Sequence, residues 1–463
     1  DEVDDVVDPQ EQKINEVDGV DEVEADGYTD VLCLCEDENL GSGKQHGKIF
    51  VSDKKIENGS KGKGYVVHLG RYDVYRPAAV KVFYLSHCKT ENSNTENEMD
   101  ITIDVTQIDN EIKNLCTSDS HANIIRLYDS ERQKDFAWLC LERWKYSLDH
   151  LVRSAQNAVP VEAIWKAVGD PSPLMISLIR DIVSGLQHLH SLSIVHRNLT
   201  PSNVLITETL VAKLSDMGIS KLLPKGKSFL DHHATCFGCP EWQAPELLRK
   251  EDETYATDMF RLGCVIFFAL TGHHPFGPAR SRDDNIRKNN RINFFQVKHP
   301  EASHLINILL NPMSNLRPTS TEVLCHPMFW SSLKRLFFLR DASNRVEVAD
   351  KEVLTKLWNR EKQVLGLSGW NKKLDNGLIN YIQSQRHYDY KSLRQLLRLV
   401  RNMTSHFWEL PIAIQGLLGT YPEGLDSYFT RRFPKLLIAV YEVIYEEFKE
   451  ESAFKMYFKE STI

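Results

Sequence analysis

The sequence predicts an α+β fold, sheet-rich at first and mainly helical afterwards, and three observations carry that reading. Short β-rich runs at residues 49–51, 65–69 and 78–83 are separated by Gly-rich or polar turns, the pattern of an antiparallel sheet. From residue 174 onward apolar residues recur at three- and four-residue steps, as in Ile179, Ile182, Val183 and Leu186, which is helical spacing. After residues 326–330 a third region stays helical in pattern to the end of the chain. There Leu393, Leu396, Leu397 and Val400 form one apolar stripe, and Arg394, Arg398 and Arg401 share a neighbouring face. Strands first and helices later imply an α+β lobe followed by a helical one.

Composition bounds the class. At 463 residues the chain holds two to four domains, or one large domain with an appendage. Apolar residues at 42%, aromatics at 10% and charged residues at 26% exclude a collagenous, coiled-coil or wholly disordered protein. The net charge of -8 is uneven, because residues 1–40 hold 16 Asp and Glu against one Lys. Residues 1–45, acidic and poor in aromatics, are expected to be a disordered linker. Residues 331–463 carry 21 Lys and Arg against 16 acids, which permits a polyanionic partner and equally fits an ordinary solvated surface.

Nine scattered cysteines favour a reducing compartment, with Cys33, Cys35, Cys236 and Cys239 read as free thiols rather than half zinc sites. The longest apolar runs, 264–270 and 436–440, are sized for a core, so no bilayer crossing is expected. The chain opens on Asp1 without a charged and apolar leader, as expected of a fragment whose upstream portion is missing. Residues 87–108, polar and rich in Asn, Thr and Glu, are expected to form a surface insertion before the next helix.

The chemistry begins with Gly59, Gly62 and Gly64 between two strand-like runs, where missing side chains let backbone amides approach phosphates. Lys81 sits in mid-strand, an odd place for a charge without a partner, and Glu111 opens a helical stretch thirty residues on. Then follow HRNLTPSNVLI at 196–206, LSDMGIS at 214–220 and WQAPE at 242–246. These resemble, in order, the protein-kinase catalytic loop, the metal-binding Asp-x-Gly turn and the end of the activation segment. Asp258 with Gly263, and Arg317 as ion-pair partner of Glu246, match two further kinase landmarks.

The resemblance implies a bilobal protein-kinase fold over 46–330, with a lobe boundary near 143/144. It implies ATP or ADP held by Gly59, Gly62, Lys81, Glu111, Glu142, Trp144, Asn203 and Asp216, with Mg²⁺ on Asn203 and Asp216. Two departures bear on activity. The base of the kinase catalytic loop is Asn198, which has neither charge nor basicity for the role, and the Lys two residues later is Thr200. Phosphoryl transfer is expected to be weak or absent.

Some 130 residues follow, including SLRQLLRLVRNMTSHFWELP at 392–411 and YPEGLDSYFTRRFPKLLIAVY at 421–441. With DMG in place of DFG, this chain is similar to the inositol-requiring kinase/endoribonuclease family, sensors of the unfolded-protein response, with ribonuclease L more distant. That implies an all-helical kinase-extension nuclease domain over 331–450 and a tail over 451–463. Matched to the family motif, the metal-free nuclease residues are Tyr388, Arg401, Asn402 and His406. His406 is expected to be the general acid and Tyr388 the base or its hydrogen-bond partner. Arg401 is expected to grip the phosphate and Asn402 to orient it.

Met403 and Ser405 stand where the family has Lys and His, so the loop is less basic. Arg386, Lys391, Arg394 and Arg398 are expected to supply charge, and Tyr390, Phe407 and Trp408 to stack bases. The resemblance further implies RNA stem-loops as substrate, a homodimer or higher oligomer, and the cytosolic face of the endoplasmic reticulum membrane, reached through an anchor and lumenal sensor upstream. A cytoplasmic location is the alternative. Two other functions stay open: a catalytically dead scaffold, and a working Ser/Thr kinase autophosphorylating at Ser220, Ser228 or Thr235.

Overall fold

Six strands of the opening region pair antiparallel: β1 (Gly43–His46), β2 (Ile49–Lys55), β3 (Tyr65–Tyr72), β4 (Arg76–Tyr84), β5 (Leu127–Arg132) and β6 (Phe136–Glu142), in the order β1-β2-β3-β4-β6-β5. The computed structural model describes residues 40–56, 65–73, 75–85, 105–119, 121–157, 164–223, 229 and 240–459. Gly59, Gly62, Gly64, Ser228, Thr235, Cys33, Cys35, Cys236 and Cys239 lie outside the described residues, as do the linker at 1–39 and insertion residues 86–104.

The expected strands all form. In the centre of the sheet the register aligns Val67, Lys81 and Leu139, so the lysine stands on the most enclosed strand. Close strand approach requires Gly70, where a Cβ would come within 2.5 Å of Val80 Cγ2 and 2.6 Å of the Phe50 carbonyl oxygen. Helix α1 (Val105–Ser118) covers the sheet and buries Ile108, Glu111, Leu115 and Ser118, an i, i+3, i+7, i+10 face. This corrects the expected insertion, which ran to 108: the helix starts at Val105 because Ile108 is its first buried anchor.

The second lobe is built on α2 (Pro173–Ser191) and α3 (Tyr255–Thr271). Ser172 caps α2 by accepting from the Met175 amide, Pro173 sits at the first helical position, and Ile179, Ile182, Val183 and Leu186 are buried as their spacing requires. Thr254 caps α3 and Gly272 ends it at φ 74°. At Gly263 a Cβ would meet Leu309 Cβ at 2.9 Å, so glycine permits α3 to lie close to α4 (Pro300–Leu309). Arg317 makes the expected pair with Glu246, two bonds of 2.7 Å each, fully buried. There the Arg317 hydrogen bonds and charge outweigh burial and hold the Glu246 carboxyl below its usual range.

A second hydrophobic core starts at Trp330, just past the last residue of the first. Helices α5 (Ser332–Glu347), α6 (Lys351–Leu365), α7 (Asn376–Gln385), α8 (Leu393–Ser405), α9 (Glu423–Arg432), α10 (Leu436–Phe448) and α11 (Ser452–Phe458) surround it. The last of these lies within the segment expected as a tail and continues the helical pattern expected to the end of the chain. Phe454, Tyr457 and Phe458 fall at i, i+3 and i+4 and are buried in this core. Among the described residues no helix is long and apolar enough to cross a membrane.

The two cores meet through charge and aromatic contacts. Arg335 of α5 donates to Glu301 of α4 at 2.7 Å and lies 3.3 Å from Asp426 of α9. Beside it, the Met328 amide donates to His326 Nδ1 at 3.1 Å, which puts the His326 proton on Nε2, and this is donated to His304 Nδ1 at 2.9 Å. Tyr441 of α10 packs edge-on to both rings.

Burial, and then Arg360, push the His304 imidazole down to about 4, and burial holds His326 well below its ordinary range. Both are therefore neutral when folded, while the unfolded chain takes up protons near pH 6.5. Stability should fall as pH drops from about 6.5 to 4 and stay level above 7, with His304 alone contributing about 3 kcal/mol over the full window. Thermal melts at pH 7.5, 6 and 5 check this, and His304→Gln should flatten part of the slope.

Candidate functional site

Lys81, Glu111 and Asp216 come together between the lobes. The Lys81 ammonium donates to Glu111 Oε1 at 2.6 Å and to Asp216 Oδ1 at 3.2 Å, and lies 4.6 Å from the centre of the Tyr65 ring. Burial is the largest influence on Lys81 and opposes its charge. Glu111, Tyr65 and Asp216 together outweigh it and hold the ammonium well above the usual lysine range. Helix α1 is kept in place by amides that the sequence did not single out. Asn110 donates to the Gly218 and Ser220 carbonyls, and Asn114 to those of Met217 and Ser220. The only sequence signal for Asn114 is its place three residues after Glu111 on the same helix face.

The catalytic-loop position is equally defined. Asn198 Nδ2 donates to Asp216 Oδ2 at 2.8 Å, and Asn203 Nδ2 donates to the Asn198 carbonyl at 2.8 Å. Asn198 thus presents a hydrogen-bond donor to Asp216 at the position expected for the kinase base, and Thr200 is buried. Asp216 and Arg197 hold left-handed backbone at φ 65° and 67°, strain of the kind that collects at functional sites. Asp216 and the carbonyl end of the Asn203 amide suit an oxygen-seeking Mg²⁺, and Lys81 suits a phosphate, so the residues fit a nucleotide and its metal. The Glu142 carboxylate is paired with Lys213 Nζ at 2.9 Å, which leaves its backbone for a nucleotide. Trp144 is packed into the first core.

Beneath this loop lies a buried charge network. Asp258 accepts from the backbone amides of His196 and Arg197 at 2.7 and 2.9 Å. The Arg197 side chain donates to Glu253 at 2.7 Å and to the Ile219 carbonyl at 3.0 Å, and Arg261 approaches the other Glu253 oxygen at 3.5 Å. Ser220, expected as a phosphate acceptor, is buried and donates its hydroxyl to the His196 carbonyl at 2.7 Å.

The other constellation lies on α8 and the segment before it. The Tyr388 oxygen accepts from Asn402 Nδ2 at 3.1 Å, and Asn402 Oδ1 accepts from Arg401 Nε and Nη2 at 3.3 and 3.2 Å. Three of the four predicted residues are thus linked, and the fourth, His406, caps α8 one turn beyond Asn402. Arg401 also reaches Asn344 of α5 at 3.4 Å, a contact 57 residues away in sequence that no local pattern announces.

Several expectations need correction. Arg394 and Arg398 are not available to RNA phosphates, because both donate to Glu347, Arg394 at 2.7 Å. These guanidiniums hold the Glu347 carboxyl below its usual range against the effect of burial. Arg401, among the described residues, has no carboxylate partner, so its charge remains for a ligand. Arg386 and Lys391 are exposed. Phe407 is buried in the second core, not a stacking surface. Trp408 is 74% exposed, and Tyr390 packs against Trp370. Met403 is buried as well, so the position that makes the loop less basic faces inward.

Comparison with known proteins identifies both regions of the chain. Residues 50–329 match the family model described as protein kinase domain, and residues 335–458 that described as ribonuclease 2-5A. The chain is similar to serine/threonine-protein kinase/endoribonuclease IRE1a of Arabidopsis thaliana, 47% identical over 453 residues, which is 90% of this chain and 51% of that protein. It is 42% identical over 468 residues to the inactive serine/threonine-protein kinase/endoribonuclease IRE1-like of the same plant, covering 91% of this chain and 81% of that one. It is 33% identical over 386 residues to the sensor for unfolded proteins in the ER ire1 of Schizosaccharomyces pombe, covering 75% and 35%. The chain spans about half the length of the first of these relatives.

The network beneath the catalytic loop yields a direct test. Removing its shared carboxylate by Glu253→Ala leaves Arg197 and Arg261 buried without it, a change that typically costs about 3–5 kcal/mol. Urea denaturation of the variant should show that loss.

Proposed function

Because the chain belongs to the IRE1 family of serine/threonine-protein kinase/endoribonucleases, with a protein kinase domain followed by a ribonuclease domain, we propose that it is an RNA-cleaving enzyme governed by a nucleotide-binding kinase region with little phosphoryl transfer. The observation that carries this is the linked set Tyr388, Asn402 and Arg401 one helical turn from His406. In this reading the RNA 2'-oxygen attacks the adjacent phosphorus and the bond from phosphorus to the 5'-oxygen breaks. Tyr388 takes part in removing the 2'-proton. His406 delivers a proton to the leaving oxygen, and Arg401 offsets the charge on the phosphorane. Asn402 fixes Arg401 and Tyr388 relative to each other. The products are a 2',3'-cyclic phosphate and a 5'-hydroxyl.

The substrate in this reading is an RNA stem-loop, cut during a response to unfolded protein, as the name of the fission-yeast relative suggests. Two chains pair to complete the active form, at the cytosolic face of the endoplasmic reticulum, with an anchor and lumenal sensor upstream. Asn203 and Asp216 would hold Mg²⁺, whose charge offsets that of the ATP or ADP phosphates, and Lys81, set by Glu111, would grip those phosphates. A second reading, a scaffold with both sites silent, is favoured by the 42% identity to a relative named inactive. The domain division is proposed at 46–330 and, with α11 included, 331–458.

His406→Ala should lower cleavage of a stem-loop RNA by about 10²-fold or more, the scale of general acid catalysis. Folding and ATP binding should stay near those of the parent. No step passes through a metal, so the parent should cut in EDTA and leave cyclic-phosphate ends. Equal rates for parent and variant would overturn the assignment, and a parent that cuts nothing at high protein concentration would establish the scaffold.

Mg-ATP should raise the melting temperature while transfer of labelled phosphate stays near background. Asn198→Asp with Thr200→Lys should increase transfer by more than the two single changes combined, because base and cation act on one transition state. Robust autophosphorylation by the parent would contradict this reading.

A further inference from the structure

We infer that Glu409 is a positioning residue for His406, holding its imidazole so that Nε2 points to the leaving oxygen; this rests on the nuclease reading above. The sequence motif did not include Glu409. After α8 ends, the chain makes one 3-10 turn, Phe407–Glu409, whose first ring is buried in the core and whose Glu409 amide donates to the His406 carbonyl at 3.0 Å. Anchoring at Phe407 and at buried Leu410 returns residue 409 to the side of residue 406. There Glu409 Oε2 lies 3.1 Å from His406 Nδ1.

A carboxylate only accepts, so Nδ1 carries the hydrogen of this bond and the neutral ring keeps its lone pair on Nε2. Protonated, the same ring offers Nε2–H as the acid. With the opposite tautomer, or with the ring turned over, Nδ1 would face the RNA from a different point. Among the described residues Glu409 has no second ion pair, so its carboxylate is committed to this ring.

The fold does not depend on the pair. The His406 side chain is 58% exposed and that of Glu409 75%, and exposed pairs contribute little to stability. Substitutions at 409 should therefore leave the protein folded, and any loss of rate reports on the placement of His406. Its size lies between the small effect of an exposed contact and the ~10²-fold cost of a misplaced group, so on the order of 10-fold.

The test uses the full chain and two stem-loop RNAs that differ at one atom, an ordinary 5'-oxygen or a bridging 5'-sulfur at the cleaved bond. Sulfur leaves as a thiolate and needs no proton. Glu409→Ala should lower kcat on the oxygen substrate about 10-fold with KM near the parent's, yet cut the sulfur substrate within about 2-fold of the parent. Glu409→Gln, which keeps an acceptor without the charge, should recover part of the loss. Melting curves of both variants should overlay the parent. Equal slowing on both substrates, or none on either, would overturn the proposal. His406→Ala run in parallel separates this from the nuclease reading. A large loss on oxygen and a small one on sulfur upholds His406 as the acid whatever Glu409 does, and equal losses would remove the acid assignment itself.

Discussion

Arg335 joins the two halves of this molecule, and the placement of the nuclease helices depends on it. Its guanidinium is buried where α4 of the kinase region meets α5 and α9 of the helical region, with Glu301 on one side and Asp426 on the other. Burial opposes its charge, but the two carboxylates more than compensate and hold its pKa above the ordinary arginine value. Asp426 is pushed upward, chiefly by burial. Such a cluster adds little net stability over an apolar contact of similar shape, but it tolerates no single deletion, and its directional bonds define one docking geometry. The neutral His326 and His304 pair beside it works in the same way, with each ring nitrogen's role set by its neighbour.

The kinase region separates assembly from chemistry. Its architecture is that of an assembled nucleotide cleft: Lys81 paired with Glu111, α1 tied to the 217–220 turn by two asparagines, and Asp216 in a strained left-handed conformation. What has changed is the loop that does the work. An aspartate at 198 would bring a second carboxylate against Asp216, whereas the amide donates to it. In the reading proposed above, the amide that stands in for the base also relieves like-charge repulsion, so holding a nucleotide and failing to transfer phosphate would go together.

The nuclease region manages its positive charge with similar economy. Of three arginines on one face of α8, two are neutralised by Glu347, and Arg401 is held by amide oxygens that orient a guanidinium without cancelling its charge. On this face of α8 that leaves the charge of Arg401 uncancelled, and exposed Arg386 and Lys391 lie on the segment before the helix. Trp408, exposed beside His406, offers an aromatic face where the inward-turned Phe407 does not.

Much of this was legible in the chain. Strand and helix positions followed from apolar periodicity, because the period of side-chain burial is a property of local geometry. The expectation that residue 198 cannot serve as a kinase base rests on residue type alone, since an amide has no basicity in any surroundings. The final segment shows the limit of such patterns, because the helical spacing of Phe454, Tyr457 and Phe458 leaves open whether a three-residue stripe packs on the core or trails from it. The sequence by itself therefore determined which elements form and which chemical groups are on hand. Which of those groups are free to act was decided only by the tertiary structure. Arg394 and Arg398 meet Glu347 across 47 and 51 residues, and Asn344 meets Arg401 across 57. Charge neutralisation and burial depend on distance through space, and a linear pattern carries no information about which distant carboxylate the fold will bring within reach.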